Sequence, residues 1–260
     1  IITFNMSFHG RTLGAMSATG QASIQQGFSP VLQGFHYAQL NDIKSVIEKI
    51  SEHTCAILLE PIQGEGGLNT ASRSWLRKIQ AIAKHHGALL IIDDIQAGCG
   101  RSGTFFSFED MGVRPDIILM AKGLSGFGLP MSMVLLNPEV DTLAPGEHNG
   151  TFRGNCHAFV TAAKAIETFW ADDRFTADLT SKITSLTNQL DQIANRNGLT
   201  RKGRGMMQGL AFRDAADALE ARARCYDKGL IVECCGPHDE VLKLLPPLTV
   251  TKAEIRQATK

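Results

Sequence analysis

The stretch Gly87-Ala-Leu-Leu-Ile-Ile-Asp-Asp94 decides the fold of this chain, because an apolar run of strand length ends in two carboxylates. Similar apolar runs occupy 54–59, 116–120 and 131–136. None of them alternates cleanly between apolar and polar residues, which is typical of parallel strands covered on both faces. Residues 71–86 have helical spacing instead, with one apolar face made by Trp75, Leu76, Ile79 and Ile82. Strand, helix and strand in succession predict an α/β layer fold.

The second part of the chain predicts a smaller α+β unit. Its patterns indicate helices at 157–170, 175–194 and 215–228, and strands at 205–212, 230–232 and 241–245. We place a boundary near Phe175, inside helical sequence, so a helix should link a domain at 1–175 to a domain at 176–260. The chain opens on strand-like Ile1-Ile-Thr-Phe4 rather than on Met, and its last helical pattern stops at Lys260. We therefore expect part of a longer protein, with its N-terminal part missing and its end clipped.

The composition excludes several classes of protein. The 26 basic and 26 acidic residues give no net charge, so nothing predicts a nucleic-acid or anionic-membrane partner. Charged residues make up 20% and hydrophobic residues 43%, which argues against a disordered chain. No apolar run approaches the roughly 20 residues that a transmembrane helix needs. The six cysteines form no C-x-x-C pair, and this predicts reduced thiols and no metal site. We expect a cytoplasmic globular protein.

Polar residues end the apolar runs at the edge where ligands bind in open parallel sheets. They are Glu60, the pair Asp93 and Asp94, and Lys122. Neighbouring side chains on a strand point to opposite faces, so Asp93 and Asp94 should not share a metal. One should face the cleft and the other the following loop. Taken alone, a turn or helix-cap carboxylate is the favoured alternative.

Lys122 leaves an apolar run and enters the glycine-rich stretch 123–128. Desolvation or a nearby cation would make its amine nucleophilic enough to attack a carbonyl, whereas an ordinary solvated lysine is an equal alternative on position alone. The combination with a carboxylate at another strand end is more specific. The lysine could bind an aldehyde carbon while the carboxylate keeps a pyridine nitrogen protonated. That pattern is what pyridoxal 5'-phosphate (PLP) chemistry requires.

Five segments carry a family resemblance: Phe8-His-Gly-Arg-Thr-Leu-Gly14, Leu59-Glu-Pro-Ile-Gln-Gly-Glu-Gly-Gly67, Ile92-Asp-Asp-Ile-Gln96 with Gly100-Arg-Ser-Gly103, Ala121-Lys-Gly123 and Gly150-Thr-Phe-Arg-Gly-Asn155. In order and spacing the chain resembles the class III (ω-amino acid) aminotransferases, which are PLP enzymes of fold type I, the aspartate aminotransferase fold. The resemblance covers most of the chain. It implies a large domain with a mostly parallel sheet and a smaller C-terminal domain.

The resemblance implies roles around the cofactor ring. Lys122 would bind PLP covalently and then act as general base and acid in the proton shift of the reaction. Asp93 would pair with the pyridine nitrogen, and Gln96 would lie near the ring hydroxyl. Phe8 and Ile95 would pack on the two sides of the ring.

Other matching residues would serve the phosphate and the substrate. Thr151 matches a threonine that reaches the cofactor phosphate of the other subunit, which implies a homodimer. Glu60 and Glu65 match acidic residues lining the substrate site. Arg11 could bind a substrate carboxylate through its guanidinium, with a surface salt bridge as the alternative. His9 could touch the cofactor, with a packed histidine as the alternative.

Within the family, segments 93–109, 146–155 and 235–243 resemble the 2,4-diaminobutyrate branch, which opens ectoine synthesis. Segments 8–11 and 58–63 are more like the acetylornithine and ornithine branches, which form the alternative. In those branches an arginine usually stands at the position of Lys243 and pairs with the residue that matches Glu65. A lysine lacks the bidentate fork of arginine, so the pairing with Glu65 should behave differently here.

The expected reaction moves the terminal amino group of L-2,4-diaminobutyrate to 2-oxoglutarate, giving L-aspartate 4-semialdehyde and L-glutamate. Family members also carry an N-terminal loop that binds the PLP phosphate, and this sequence has no counterpart of it. A non-catalytic fragment that keeps the fold is therefore the alternative from a different class.

Overall fold

The computed structural model describes residues 1–126 and 128–260. The first half of the chain alternates strands and helices. In chain order these are β1 (Ile2–Phe4), α1 (Leu13–Ala18), α2 (Ala22–Gln25), β2 (His36–Ala38), α3 (Ile43–Ile47), β3 (Ala56–Leu59), β4 (Ile62–Gln63), β5 (Asn69–Thr70), α4 (Arg73–His85), β6 (Leu89–Asp93), β7 (Ile117–Ala121) and β8 (Ser132–Leu136). Short 3₁₀ helices cover Glu109–Met111, Lys122–Ser125 and Pro138–Val140.

The second half adds four helices and four strands. They are α5 (Cys156–Phe169), α6 (Arg174–Asn197), β9 (Thr200–Arg204), β10 (Met207–Ala211), α7 (Ala215–Asp227), β11 (Glu233–Cys235), β12 (Val241–Leu244) and α8 (Lys252–Ala258). Within the described ranges, no helix combines the length and apolarity that a membrane crossing requires.

The larger sheet has six strands in the order β2-β1-β3-β6-β7-β8, which confirms the predicted α/β layer fold. All neighbouring pairs are parallel except β7 and β8, which run antiparallel. The connection between β7 and β8 runs over residues 122–131, and its described part, 122–126 and 128–131, contains a 3₁₀ helix and no other helix. A parallel crossover needs about a dozen or more residues, so this short connection turns the chain back instead.

Helix α4 covers one face of this sheet and fixes its central strands. Ser72 begins the helix, because its Oγ accepts a hydrogen bond from the backbone N of Trp75 at 3.3 Å. Trp75 then packs edge-on against Phe4 of β1, with ring centroids 5.2 Å apart. Leu76 and Ile79 are buried in the same core, as the helical spacing predicted. The packing holds the carboxyl ends of β1, β3 and β6 at one edge of the sheet.

The second sheet is antiparallel, in the order β11-β12-β10-β9, and α6 and α8 pack against it through a separate apolar core. Helix α6 begins at Arg174, and the domain boundary near Phe175 stays a prediction. The strand predicted at 230–232 is wrong. Its apolar residues precede the strand, and Ile231 is 82% exposed, whereas β11 lies three residues later.

The register explains this shift. Glu233 pairs with Lys243 and Cys235 with Val241, so the turn between these strands decides which residues are hydrogen-bonded. Strand β9 was not predicted, because its sequence Thr-Arg-Lys-Gly-Arg contains no apolar residue. Its strand structure comes from pairing with β10.

Asp94 closes the loop that follows β6. Its Oδ2 accepts a hydrogen bond from the backbone N of Ser107 at 3.0 Å, and the residue is 1% exposed. Burial raises the pKa of this carboxyl to about 6, because the contact with Ser107 and the charge of Arg204 do not offset the desolvation and the nearby Asp93. Asp94 therefore faces the loop, as one of the two aspartates was expected to do.

The raised pKa of Asp94 predicts how stability depends on pH. The folded chain holds this proton between the usual value of 3.8 and about 6, whereas the unfolded chain releases it. Stability should therefore fall as pH rises through this window, by about 3 kcal/mol for this group. The free energy of unfolding, measured with urea at several pH values, should show this fall for the parent chain and a smaller fall for Asp94→Asn. Asp141→Asn, at an exposed position, is the control, and parallel profiles for parent and Asp94→Asn would contradict the prediction.

Candidate active site

The sheet brings four of the predicted residues together at its carboxyl edge. The imidazole Nδ1 of His9, just beyond β1, lies 2.7 Å from Oδ2 of Asp93 at the end of β6. The backbone N of Phe8 donates to Oε2 of Glu60, which follows β3, at 2.8 Å. Residues more than 50 positions apart along the chain thus form one connected group.

Asp93 is held as a buried carboxylate with two partners. Besides His9, the backbone N of Ile95 donates to its Oδ1 at 3.2 Å. The side chains of His9 and Asp93 are only 2% and 4% exposed. The second ring nitrogen of His9, Nε2, is buried and has no hydrogen-bond partner among the described residues. A carboxylate oriented in this way can hold a proton on a neighbouring ring nitrogen.

Glu60 is 6% exposed, and its second oxygen, Oε1, accepts from the backbone N of Gly64 at 3.2 Å. Burial raises the pKa of this carboxyl to about 7. The charge of Asp93 adds to the rise, while His9 and the two backbone amides oppose it. The cost of burying this group is therefore only partly offset by its hydrogen bonds.

Glu65 links the two sheets. Its Oε1 accepts from Nε2 of Gln96 at 2.9 Å and from Nζ of Lys243 on β12 at 3.1 Å. Burial alone would raise the pKa of Glu65, but the hydrogen bond from Gln96 and the charges of Lys243 and Lys122 bring it below its usual value. The pairing of Lys243 with Glu65 that the sequence suggested is thus present. Lys243 also lies 3.6 Å from Oε2 of Glu233.

Lys122 begins the 3₁₀ helix after β7, with a φ of 51°. A non-glycine residue in this left-handed region carries backbone strain of roughly 1–3 kcal/mol, and such strain is concentrated at functional sites. Its side chain is exposed and lines a cavity of about 360 Å³ together with Ile95, Gln96 and apolar side chains of α5 and α6. Lys122 is therefore accessible to a ligand from the side of Ile95.

Two predicted residues, Arg11 and Thr151, form no hydrogen bond or ion pair with the described residues of this group. Arg11 is exposed and places its guanidinium 5.5 Å from the centroid of the Phe8 ring, and no described residue forms an ion pair with it. Thr151 lies in the exposed segment 141–155 between β8 and α5, and it has no hydrogen bond to any other site residue described.

Gly64 is a residue whose function the sequence did not reveal. A Cβ built on it would lie 2.1 Å from Oε1 of Gln96, so only glycine allows the Gln96 side chain to occupy this position. The only sequence signal was that Gly64 falls within a matching segment. Nothing in the sequence indicated Glu233, the second carboxylate beside Lys243, because its place opposite Lys243 follows from the register between β11 and β12.

The group fits a pyridine aldehyde cofactor better than a metal. Asp93 could pair with a ring nitrogen, Lys122 could reach an aldehyde, and the buried Oε1 of Gln96 has no partner among the described residues and could accept from a ring hydroxyl. Within residues 1–126 and 128–260, no cluster of three or more His, Cys, Asp or Glu side chains could hold a metal ion.

Other proteins are similar to this chain in sequence or in fold. The diaminobutyrate–2-oxoglutarate transaminase of Vibrio cholerae is 46% identical over an alignment of 272 positions, gaps included. The alignment covers 98% of this chain and 66% of that protein. A solved Bacillus anthracis aminotransferase superposes with a TM-score of 0.89 at 27% identity, over 99% of this chain and 67% of that one. An ornithine aminotransferase from Toxoplasma gondii, with partial PLP occupancy at its active site, gives a TM-score of 0.88 at 29% identity, over 99% of this chain and 62% of that one.

This chain spans just under two thirds of the length of the Vibrio cholerae transaminase. The family profile described as Aminotransferase class-III matches residues 1–260. The match includes all five segments that carry the motifs. The chain therefore belongs to the class III aminotransferases.

Proposed function

We propose that the whole protein is a PLP-dependent transaminase that moves the terminal amino group of L-2,4-diaminobutyrate to 2-oxoglutarate, with L-aspartate 4-semialdehyde and L-glutamate as products. The observation that carries the proposal is the buried His9–Asp93 pair at a strand end next to the strand that leads into Lys122. The substrate assignment is supported by the name of the Vibrio cholerae relative.

When bound, PLP supplies an electron sink for the carbon that loses its proton. Lys122 would hold the cofactor and, once displaced by the amino donor, would move the proton at that carbon as base and then as acid. Asp93 would keep the ring nitrogen protonated, and its hydrogen bond to His9 fixes the carboxylate for this task. Gln96 would contact the ring hydroxyl.

Phe8 and Ile95 would exclude water from the two faces of the ring. Thr151 is proposed to bind the cofactor phosphate of a partner subunit, since it is exposed and has no hydrogen bond to the other site residues described. The active protein would then be a homodimer, and we propose that it is cytoplasmic. The proposed boundary between the two domains stays near Phe175.

Substrate recognition would use Arg11 and Glu65. Arg11 has no ion pair among the described residues, so its guanidinium is free to bind a substrate carboxylate. Glu65 would attract the amino group of the donor and return to Lys243 when the site is empty. An ornithine-type donor is the second candidate, and the similarity of segments 8–11 and 58–63 to those enzymes favours it.

The first prediction concerns Lys122. The protein mixed with PLP should acquire a visible absorption band, and Lys122→Ala should lose the covalent band and about 10²–10⁴-fold of the transamination rate, because the amine and its proton transfer are both removed. Lys164→Ala, on the exposed face of α5, is the control. The band should bleach faster with 2,4-diaminobutyrate than with ornithine or N-acetylornithine. The reverse order would favour the second candidate, and a parent protein without a band would contradict the proposal.

The second prediction concerns Gly64. In Gly64→Ala the new methyl group would occupy the position of the Gln96 amide and displace it from Glu65. Losing a hydrogen bond to a charged group costs about 1.5–3 kcal/mol, so the KM for the amino donor should rise by about tenfold or more. Gly14→Ala is the matched control, because the nearest heavy atom to its new Cβ would be 4.0 Å away. Equal KM values for both variants would contradict a role of the Gln96–Glu65 contact.

A further inference from the structure

The carboxylate of Glu60 joins two backbone segments. One oxygen accepts from the amide of Phe8 at 2.8 Å, and the other accepts from the amide of Gly64 at 3.2 Å. The two amides come from the segment after β1 and from the loop between β4 and β5. We propose that Glu60 is a positioning residue that ties the Phe8 ring to the loop bearing Glu65, rather than a group that binds substrate.

The burial of Glu60 supports this assignment. With 6% of its surface exposed, the residue has almost no face left for a substrate amine. Charged carboxylates form strong hydrogen bonds to backbone amides, and a buried amide left without its acceptor is costly. Both oxygens of Glu60 are committed in this way. The burial of the residue leaves a substrate amine little access to the remaining lone pairs of either oxygen.

The backbone segments on either side of Glu60 pack closely against each other. A Cβ on Gly66 would lie 2.0 Å from the backbone O of Met6, so the two segments pack directly on each other. The backbone O of Glu65 also accepts from the amide of Gly236, which directly follows β11 of the second sheet, at 3.0 Å. The loop is thus held from both sides. Glu60 is its side-chain attachment to the amide of Phe8, and the buried Gln63 adds a second link by donating from Nε2 to the backbone O of Asn5 at 2.7 Å.

The consequence for the reaction rests on the proposed function. If Phe8 packs on the cofactor ring and Glu65 faces the amino donor, Glu60 sets the distance between these two elements. Removing one acceptor oxygen of Glu60 should first loosen the contact between Phe8 and the cofactor ring. The affinity for the cofactor should then fall, while the KM for the amino donor should change little.

The test uses Glu60→Gln, which keeps the shape of the side chain but turns one acceptor into an N–H donor facing an amide. Amide hydrogen exchange of the cofactor-free protein is measured at a pH above the raised pKa of Glu60, which is about 7, so that the parent carboxylate is charged. Exchange should become about ten- to hundredfold faster at Phe8 or Gly64, which corresponds to one lost hydrogen bond to a charged group. Glu60→Asp keeps the charge but shortens the reach, so it should accelerate exchange at the same amides and serves if Glu60→Gln fails to fold. Glu48→Gln, on the exposed end of α3, is the matched control and should leave both amides unchanged.

A second readout separates positioning from substrate binding. For Glu60→Gln, PLP titration should give a Kd raised about ten- to hundredfold, with a donor KM within about threefold of the parent value at saturating PLP. Unchanged amide exchange in both Glu60 variants would overturn the proposal. An unchanged PLP Kd with a donor KM raised tenfold would also overturn it and would assign Glu60 to the substrate. If the parent protein binds no PLP, the proposed function fails, but the exchange measurement still decides whether Glu60 ties the two segments.

Discussion

A single buried contact, between His9 and Asp93, organises the candidate site. It joins the segment after β1 to the end of β6, and it exists only because β3 lies between them and keeps both strand ends at one edge. A carboxylate buried to this degree is expensive unless it is hydrogen-bonded, so the imidazole stabilises the fold and orients the acid at the same time. The other site residues are arranged around this pair.

Glu65 provides the second constraint, because it connects the two sheets. Its carboxylate receives Gln96 from the larger sheet and Lys243 from the smaller one, and its own backbone is held by Gly236. Any relative movement of the two sheets would therefore act directly on this carboxylate. Lys243 is 1% exposed and lies between two glutamates, so its ammonium is satisfied whenever Glu65 is in this position.

The buried acids of the site lower the stability of the fold but hold its loops in position. Burial raises the pKa values of Glu60 and Asp94 to about 7 and about 6, and neither residue has a cation close enough to reverse this. Their hydrogen bonds are made to backbone amides, which fix loop conformation rather than neutralise charge. Asp94 shapes the loop that carries Ile95 and Gln96, while Glu60 shapes the loop that carries Glu65. The positions of the groups that would face the ligand are thus set by acids that do not face it.

Much of the architecture was predictable because it depends on local patterns. The apolar runs ended within one residue of the ends of β3, β6 and β7, and the polar residues at these ends therefore identified the edge that bears Glu60, Asp93 and Lys122. The motifs were sufficient to indicate the family. The helical spacing of 71–86 placed Trp75 and Leu76 in the core, because burial of one helix face follows directly from its period.

Other features depended on partners distant in the chain. Strand β9 has no apolar pattern and is a strand only because β10 offers its hydrogen bonds, and β11 lies at 233–235 because its turn sets the register with β12. For Glu60 the family resemblance implied a place in the lining of the substrate site, and no local pattern indicated which groups it contacts. Its two partners, Phe8 and Gly64, are selected by tertiary packing. The sequence by itself determined which residues stand at the edge of the sheet; the tertiary structure decided which of them bind one another, because hydrogen bonds between distant segments follow from packing and not from local pattern.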